Sequence, residues 1–434
     1  MVSSTTLSRA FPLSSRLDER GRLEVGGCDT IELAREFGTP AYVVAEEDLT
    51  SRARAFLDAG RDSAREELQV VFASKAFPCT AVLECFAREG LWCDVASGGE
   101  LHLALNAGFA PERIVMHGNA KSETELRMAL GRGVGQLVLD NFDEIERIER
   151  LIGEGALGAR GRQSVLVRVT PDVRGETHEK ISTGQADSKF GFAMADAPEA
   201  IARARSVEGL ELEGLHAHIG SQLLSLEPFR RAAAELASLG DFAVLDLGGG
   251  LGVSYTQEQP APPSIEEYVG AILDAVAEAG IAAQTRLMIE PGRSLCANAA
   301  VTLYTVESVK QNVSRWVAVD GGMSDNMRPM LYGSVYEAHV ADRFGGRTPC
   351  VLAGKHCESG DVIVRAAQLD DPRAGDVIVT PATGAYGYAM ANNYNGVPRP
   401  PVIFCRDGEA RVVVRRESLE ELTARDVSSV EAGR

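Results

Sequence analysis

Short apolar stretches alternate with amphipathic stretches through the first two thirds of the chain, and this alternation constrains the fold most strongly. The apolar stretches are rich in β-branched and aromatic residues, as buried strands are, and the stretches between them have helical periodicity. They recur every ~20 to 45 residues, the spacing of βα units, which predicts an α/β fold with a closed, TIM-like (β/α)8 barrel. The eight predicted strands span residues 70–74, 91–95, 114–117, 136–139, 165–169, 212–218, 242–246 and 286–289.

Polar or glycine residues follow each predicted strand at its C-terminal end. Lys75 follows the first strand, His117 the third and His218 the sixth, while glycines 248–250 follow the seventh and residues 290–293 the eighth. Active sites of such barrels are built at the C-terminal ends of the strands. Because unusual residues follow all eight strands in register, the sequence predicts an active site at this end of the barrel.

Lys75 is the residue around which this interpretation is organised. It stands between small residues at the end of a buried strand, where an ammonium group is costly to desolvate. A lysine in such a place can hold a cofactor aldehyde as a Schiff base. Taken alone, an Ala-Ser-Lys-Ala motif more often marks a strand-end lysine whose ammonium reaches solvent, so the interpretation depends on the rest of the chain.

The pattern changes after about residue 300, where short strands separated by turns replace the βα alternation. We therefore expect a barrel domain over residues 47–300 and a second, all-β domain, a sandwich or barrel, over residues 1–46 and 301–434. The strand at residues 41–44 is surplus to the barrel, so we expect it to pair into the β domain. The other strands of this domain are predicted at residues 301–310, 316–319, 350–353, 362–364, 376–381, 402–405 and 409–415.

The composition excludes several classes of partner. A chain of 434 residues with a formal net charge of −18 is unsuited to nucleic acid or an anionic membrane surface, and no apolar run approaches the length of a membrane span. Its eight cysteines are scattered singly without a Cys-x-x-Cys pair, which favours free thiols in a reducing cytoplasm over disulfides or a metal site. The Ser/Thr-rich residues 1–16 lack a long apolar core and are predicted to be a disordered lead-in rather than a signal peptide.

Three features together predict an aromatic cofactor that carries a phosphate. Glycines 248–250 allow backbone N–H groups to approach an anion, although a glycine-rich turn is also common between barrel elements. Glu290 and Arg293 flank a tight turn, so that the carboxylate could hold a pyridinium proton and the guanidinium could reach a phosphate or carboxylate. His218 could stack on a ring, although a lone strand histidine is more often a satisfied core residue.

The motifs as a set resemble those of the fold-type III pyridoxal-phosphate-dependent decarboxylases, the alanine-racemase-like barrel enzymes, and most closely those of the diaminopimelate decarboxylases. The resemblance extends from residue 38 to residue 395, most of the chain. So many motifs in one order are specific for the family and less decisive for the substrate. They lie at residues 38–43, 72–76, 94–101, 117–119, 183–184, 188–191, 216–222, 248–252, 290–293, 320–323, 328–332, 357–361, 384–386 and 393–395.

The resemblance implies pyridoxal 5′-phosphate as the cofactor and gives a role to each matching residue. Lys75 would bind the cofactor covalently, His218 would stack on its ring, and Glu290 would keep the ring nitrogen protonated. The residues that would hold the phosphate are Ser221, Gly248, Gly249, Gly250 and Arg293. The further cofactor contacts would be Pro291, Gly292 and Tyr386.

The same resemblance implies an amino-acid substrate and a site shared between the subunits of a homodimer. The implied reaction is decarboxylation of meso-2,6-diaminopimelate to L-lysine, the last step of lysine biosynthesis. Cys357 would return a proton to the substrate carbon after carbon dioxide departs. Arginine suits this substrate because a diamino-diacid keeps a distal carboxylate. The implied substrate contacts are Arg293, Arg328, Tyr332, Glu358 and Tyr386.

Cys357 alone has a simpler interpretation, that of a small buried hydrophobe. Its neighbours Glu358 and Asp361 argue against this interpretation, because two carboxylates beside a buried thiol would be poorly tolerated without a function. One departure from many relatives is Lys355-His356 before the cysteine, where others have Gly-Pro or similar residues. Two potential cations therefore lie beside the thiol, and the sequence leaves open in which direction they shift its pKa.

Three alternatives remain open on the sequence. A sister decarboxylase for ornithine, lysine, arginine or a carboxylated polyamine would typically have an aspartate after the cysteine, where this chain has Glu358. A non-catalytic regulator on the same scaffold would be expected to lose Lys75 or Cys357, and both are present. The third alternative is a racemase. Racemases on this fold use a tyrosine base, however, and the Cys-Glu-Ser motif fits decarboxylation better.

Overall fold

Two compact units make up the chain in the computed structural model. The first unit comprises Met1–Asp48, Ser254–Gln259 and Cys296–Arg434, and the second comprises Leu49–Val253 and Pro260–Leu295. The sequence analysis did not anticipate that residues 254–259 belong to the first unit. The structure describes residues 7–61, 68–171, 173 and 188–427, so the family motif at residues 183–184 lies outside the described residues.

The second unit is a closed barrel of eight parallel strands, which confirms the fold predicted from the alternation. Numbered along the whole chain, its strands are β5 (Gln69–Ala73), β6 (Trp92–Val95), β7 (Ile114–Met116), β8 (Gln136–Leu139), β9 (Gln163–Thr170), β10 (Phe192–Ala193), β11 (Leu210–His216), β12 (Val244–Asp246) and β13 (Arg286–Ile289). β13 pairs with β5 and β8 pairs with β9, which closes the barrel, while the two-residue β10 adds to β9. The predicted strands differ from the observed ones by at most two residues at either end.

Helices alternate with the barrel strands, and residues with short polar side chains begin several of the helices. Ser122 and Glu125 form a reciprocal capping box at the start of one helix, and Ser264 and Glu267 do so at another. Among the described residues, none of the helices combines the length and apolar content needed to cross a membrane. The helices are α2 (Glu46–Arg61), α3 (Thr80–Arg88), α4 (Gly98–Asn106), α5 (Glu123–Arg132), α6 (Phe142–Gly153), α7 (Ala197–Ser206), α8 (Glu227–Ala237), α9 (Ile265–Glu278) and α10 (Arg293–Cys296).

An apolar layer from six barrel strands lies beneath a polar one. Its members are buried and contact one another: Val71, Val115, Val138, Leu166, Val244 and Met288. Side chains two positions further along a strand share its face and lie closer to its C-terminal end. In five of these strands that next position carries a buried polar residue: His117, Asp140, Arg168, Asp246 and Glu290. The apolar layer therefore supports a layer of ionisable groups at the end of the barrel where the sequence predicts the site.

The first unit is rich in strands, as predicted. β4 (Ala41–Ala45) pairs antiparallel with β14 (Ala300–Gln311) and parallel with β20 (Val402–Arg406), so the early strand does join this sheet. A separate sheet of β1 (Arg16–Leu17), β2 (Leu23–Val25) and β3 (Cys28–Asp29) was not expected from the sequence. The remaining elements are β15 (Arg315–Val319), β16 (His339–Val340), β17 (Thr348–Ala353), β18 (Val362–Leu369), β19 (Val377–Pro381), β21 (Glu409–Val414), α1 (Thr30–Phe37), α11 (Arg328–Tyr332) and α12 (Leu419–Leu422).

Asp325 is a buried carboxyl that organises the interior of the first unit. It accepts hydrogen bonds from the Gly322 N–H at 2.7 Å and the Tyr304 hydroxyl at 2.5 Å. Tyr42 donates from its hydroxyl to the Asp325 carbonyl oxygen at 2.6 Å. Burial raises the pKa of Asp325 to about 7, although the Tyr304 hydroxyl partly opposes the shift. Near neutral pH this carboxyl is therefore close to the midpoint of its titration.

Asp325→Asn should make the stability of the protein less dependent on pH. Between about pH 4, where an unfolded aspartate ionises, and the folded pKa of about 7, the folded state keeps a proton that the unfolded state has lost. Asp325 therefore contributes a loss of stability as the pH rises through this window, and asparagine removes that contribution. Urea midpoints at pH 5 and pH 8 measure the difference, with Asp274→Asn on the exposed face of α9 as control. The same pH dependence in both variants would contradict the assignment.

Candidate active site

Lys75 lies on a single 3-10 turn, Ser74–Ala76, that directly follows β5. Its side chain is 46% exposed, and its Nζ lies 3.7 Å from Asp94 Oδ2. The contact follows from the strand register, which places Ala73 opposite Asp94 on β6. The sequence predicts a desolvated lysine at a strand end, whereas the Lys75 side chain is nearly half exposed. The amine is thus accessible, with a buried carboxylate beside it.

Lys121 shows by contrast what a structural lysine looks like in the same barrel. Its buried Nζ lies 2.7 Å from Glu144 Oε1 and donates to the carbonyl oxygens of Gly118 at 2.7 Å and Val138 at 2.9 Å. These contacts use all three donors of the ammonium group. Lys121 is therefore unsuited to hold a cofactor aldehyde, which favours Lys75 for that role.

Glu290 follows β13 and is held as a buried anion by two histidines. One carboxylate oxygen lies 2.6 Å from His117 Nε2, and the other lies 3.3 Å from His216 Nε2. Burial alone would raise the Glu290 pKa, but the two imidazoles hold it well below its usual range. Burial lowers the pKa of His216 to about 3, so this ring is neutral and donates to the carboxylate from Nε2. The arrangement keeps a negative charge at the C-terminal end of the barrel.

Asp246 and Glu290 are buried neighbours whose pKa values are shifted in opposite directions. Burial, followed by the charge of Glu290, raises the pKa of Asp246 well above its usual value. Its Oδ1 accepts the N–H of Gly248 at 2.9 Å and so fixes the start of the glycine turn. The pKa shifts thus favour the protonated form of Asp246 and the ionised form of Glu290.

The sequence analysis did not identify His117 and His216 as site residues. Their rings pack edge to face with centroids 4.7 Å apart, and each contacts Glu290. The available signal was their position, since His117 follows one predicted strand and His216 lies in the motif that contains His218. Both histidines lie at the end of the barrel where the sequence predicts the active site.

The glycine turn at residues 248–250 has a conformation that only glycine adopts without strain. Gly248 and Gly250 have φ of 65° and 132°, and a Cβ on Gly249 would lie 2.1 Å from the Glu290 carbonyl oxygen. The Gly249 N–H donates to His218 Nδ1 at 3.1 Å, so the ring proton of His218 lies on Nε2. Burial and then the charge of Lys75 place the pKa of His218 well below its usual value. His218 is therefore a neutral ring of fixed tautomer beside the turn.

The turn at residues 290–293 joins this glycine turn to the lysine strand. The Ala73 N–H donates to the Pro291 carbonyl oxygen at 3.2 Å, and a Cβ on Gly292 would lie 3.0 Å from the Cβ of Ala73. Arg293 donates from Nη2 to Ser221 Oγ at 2.9 Å. A guanidinium and a hydroxyl thus lie together in the part of the barrel where the sequence predicts phosphate contacts.

Arg328, in the first unit, is a buried cation surrounded by tyrosines. It is 5% exposed, its Cζ lies 4.5 Å from the ring centroid of Tyr255, and it donates a hydrogen bond to the Tyr336 hydroxyl. Burial opposes its charge, yet Tyr255, Tyr336 and Tyr386 raise the guanidinium pKa above its ordinary value. None of the ion pairs found among the described residues includes Arg328. Arg328 is therefore a buried cation that contacts tyrosines rather than a carboxylate among the described residues.

Cys357 and Glu358 are exposed, so the interpretation of Cys357 as a small buried hydrophobe is wrong. The other seven cysteines are all buried, and all eight are free thiols. The Cys357 N–H donates to Asn395 Oδ1 at 2.9 Å, and the Glu358 N–H donates to the His356 carbonyl oxygen at 2.7 Å. The Cys357 thiol is thus reachable from solvent on a segment whose backbone is anchored.

The predicted site residues divide between the two units. The barrel unit brings together Lys75, His218, Ser221, Gly248, Gly249, Gly250, Glu290, Pro291, Gly292 and Arg293. The first unit carries Arg328, Tyr332, Cys357, Glu358 and Tyr386. Tyr332 ends the short helix α11 that Arg328 begins, and Tyr386 lies in the left-handed region with φ of 63°.

Comparison with known proteins places this site in a family. Residues 48–297, more than half of the chain, match the family model described as the pyridoxal-binding domain of pyridoxal-dependent decarboxylases. The chain is 48% identical to a diaminopimelate decarboxylase of Actinosynnema pretiosum subsp. auranticum, over 96% of this chain and 95% of that one. It is 44% identical to the diaminopimelate decarboxylase of Bacillus subtilis, over 95% and 97% of the two chains.

A solved structure shows the same relationship. The diaminopimelate decarboxylase of M. jannaschii in complex with L-lysine has a TM-score of 0.90 to this chain at 31% identity. The alignment covers 97% of this chain and 99% of that chain. The likeness therefore includes both units and is not confined to the barrel. The chain belongs to the diaminopimelate decarboxylases, a family of pyridoxal-phosphate-dependent enzymes.

Proposed function

We propose how the residues of this chain divide the work of the family's reaction. That reaction, and therefore this chain's, is the pyridoxal-phosphate-dependent decarboxylation of meso-2,6-diaminopimelate to L-lysine and carbon dioxide, in lysine biosynthesis. The cofactor, when bound, supplies an electron sink for the pair of electrons that carbon dioxide leaves behind. The chain's own residues must bind it, hold its charges, orient the substrate and return a proton.

The barrel residues fit pyridoxal phosphate in three respects. Lys75 offers an accessible amine beside Asp94. Glu290 offers a buried anion that can hold a proton on a pyridine nitrogen. Glycines 248–250 form a turn that no side chain fits, because a Cβ at each would meet a backbone carbonyl oxygen, and the Ser221–Arg293 pair offers hydroxyl and guanidinium donors to a phosphate. We assign Lys75 to the aldehyde, His218 to the ring face and Glu290 to the ring nitrogen. We assign to the phosphate and its surroundings Ser221, Gly248, Gly249, Gly250, Pro291, Gly292, Arg293 and Tyr386.

The substrate assignment rests on the burial of the Arg328 guanidinium. A buried guanidinium among tyrosines is costly unless an anion binds to it, and diaminopimelate has a second carboxylate that ornithine and lysine lack. We assign Glu358 to the ammonium group at the same end of the substrate, since its exposed carboxylate has a charge opposite to that of the ammonium group. The further substrate contacts in this proposal are Arg293, Tyr332 and Tyr386.

Cys357 completes the proposed reaction as the proton donor. Loss of carbon dioxide breaks a carbon–carbon bond, and its electron pair stays on the substrate side. The Cys357 thiol then gives its proton to that carbon, which forms the carbon–hydrogen bond of L-lysine, and the thiolate recovers a proton from water. A thiol suits this step because its ordinary pKa of about 8.5 is closer to neutral than that of a hydroxyl.

We further propose a homodimer in which each active site is shared, in a reducing cytoplasm. The division of site residues between two units is compatible with a site made from the barrel of one subunit and the β unit of another. Eight free thiols, seven of them buried, support a reducing compartment. The net charge of −18 supports a small-molecule substrate over nucleic acid or an anionic membrane.

Reduction of the purified enzyme with borohydride should bleach its visible absorption and leave the pyridoxyl group on Lys75. The reason is that Lys75 is accessible, whereas Lys121 is buried with all of its donors engaged. Peptide mapping after reduction identifies the labelled lysine. Labelling of Lys121 or Lys189 in place of Lys75 would overturn the assignment.

Arg328→Lys and Glu358→Gln should each abolish most activity on diaminopimelate while leaving the pyridoxal phosphate content unchanged. A lysine cannot reproduce the fork of a guanidinium, and a neutral amide cannot pair with an ammonium group. Carbon dioxide release from a panel of amino acids measures the effect. The control variants are Arg406→Lys and Glu409→Gln, which are exposed in the same unit. Faster release from ornithine or lysine than from diaminopimelate by the unmodified enzyme would contradict the substrate assignment.

Lys75→Ala and Cys357→Ala subunits should restore activity to each other if the sites are shared. In a mixed dimer one site carries both defects and the other carries neither. Random mixing of equal amounts makes about half of the dimers mixed, so roughly a quarter of all sites should be intact. The two inactive variants are unfolded and refolded together, with each refolded alone as control. No recovery from subunits that affinity tags show to have exchanged would mean that each site is built within one chain.

A further inference from the structure

His356 is a buried histidine directly next to the exposed Cys357, and the roles proposed above do not use it. Its side chain has no exposed surface, and its Nδ1 lies 2.7 Å from Asp361 Oδ2. Its Nε2 is buried and has no hydrogen-bond partner among the residues that the structure describes. The only polar contact found for this ring among those residues therefore passes through Nδ1 to Asp361.

The Asp361 carboxylate also contacts the backbone, at His356 itself and at a second loop. Its buried carboxylate also accepts the His356 N–H at 2.9 Å and the Met323 N–H at 2.8 Å. A Cβ on Gly354 would lie 2.1 Å from Asp361 Oδ2, and one on Gly322 would lie 2.5 Å from it. The two glycines therefore make room for the carboxylate, which connects the segment of Cys357 to the loop at residues 321–323.

The other side of the segment is held by residues 393–395. The His356 ring stacks on Tyr394 with centroids 5.8 Å apart and an interplanar angle of 16°. The Cys357 N–H donates to Asn395 Oδ1, and Asn395 has φ of 56°, a left-handed conformation that asparagine tolerates. Two motifs that the sequence analysis noted without a role, at residues 320–323 and 393–395, thus meet the Cys357 segment from two directions.

We propose that His356 is a positioning residue for Cys357, acting through its Nδ1 contact with Asp361 and its stacking on Tyr394. An exposed side chain cannot be fixed by its own packing, so the orientation of Cys357 must come from its neighbours. His356 supplies this orientation as the buried residue immediately before the thiol. The inference rests on the proposed role of Cys357 as proton donor, because a thiol that transfers a proton has to be held at the reacting carbon.

The contact through Nδ1 allows a test with two amides of different length. Asparagine carries its amide nitrogen at about the Nδ1 position, whereas glutamine carries it at about the Nε2 position. His356→Asn keeps the contact with Asp361 but loses the ring that stacks on Tyr394, so it should lower kcat by no more than about threefold. His356→Gln and His356→Leu should lower kcat about tenfold or more, because the proton donor is displaced. His102→Asn and His102→Leu, at an exposed histidine on α4, are the matched controls.

Alkylation of Cys357 by iodoacetamide gives a readout that does not depend on activity. Seven of the eight cysteines are buried, so the native enzyme should react first at Cys357, which peptide mapping confirms. The reaction should become several times faster in His356→Leu, which loses both contacts, should rise less in His356→Asn and Tyr394→Leu, which lose only the stacking, and should stay unchanged in Tyr394→Phe. Because Tyr394 is 41% exposed, Tyr394→Leu is expected to fold even if His356→Leu does not.

The outcomes separate this inference from the function on which it rests. If Cys357→Ala keeps its activity, the proton-donor role fails, while the alkylation rates still test the positioning. If Cys357→Ala is inactive but glutamine at position 356 performs as well as asparagine, the positioning inference is overturned. Wild-type alkylation rates in His356→Leu and Tyr394→Leu would overturn it as well.

Discussion

Glu290 is a carboxylate that stays ionised inside a barrel, and the rest of the site depends on this charge. An isolated buried ion is costly, and Glu290 is tolerated because His117 and His216 contact its two oxygens. Glu290 follows β13, His117 follows β7 and His216 ends β11, so the contacts join parts of the chain that are distant in sequence. Burial and the charge of Glu290 raise the pKa of the neighbouring Asp246, which fixes the start of the glycine turn by accepting the Gly248 N–H. The buried charge of Glu290 thus acts on the ionisation of the groups around it.

The barrel can hold this charge because an apolar layer lies directly below it. The pairs Val115 and His117, Leu166 and Arg168, and Met288 and Glu290 are each two residues apart on one face of a strand. The first member of each pair packs in the apolar layer, and the second belongs to the ionisable layer. The packed layer excludes water from one side of the polar groups, which strengthens the electrostatic interactions among them.

The sequence predicted what is local and missed what requires the closed fold. The strand ends, Lys75, the glycine turn and Glu290 follow from short patterns, and the family motifs identified Cys357. The pair of histidines on Glu290 did not follow, because the three residues lie at the ends of β7, β11 and β13, which are distant in sequence and do not pair directly with one another. The exposure of Lys75 and of Cys357 depends on single turns that propensity does not resolve. The short strands β1 to β3 lack the length from which a pattern can be recognised.

Lys75 and Cys357 present the same physical situation in different units. Both side chains are exposed, so neither is oriented by its own burial. In each case the chain places a buried carboxylate behind the exposed group. Asp94 lies beside the Lys75 amine, and Asp361 holds the residue that precedes Cys357. Asp361 can remain buried because backbone N–H groups and an imidazole satisfy it, just as imidazoles satisfy Glu290. In both places, therefore, the exposed side chain is accessible and the buried residue next to it is held rigidly.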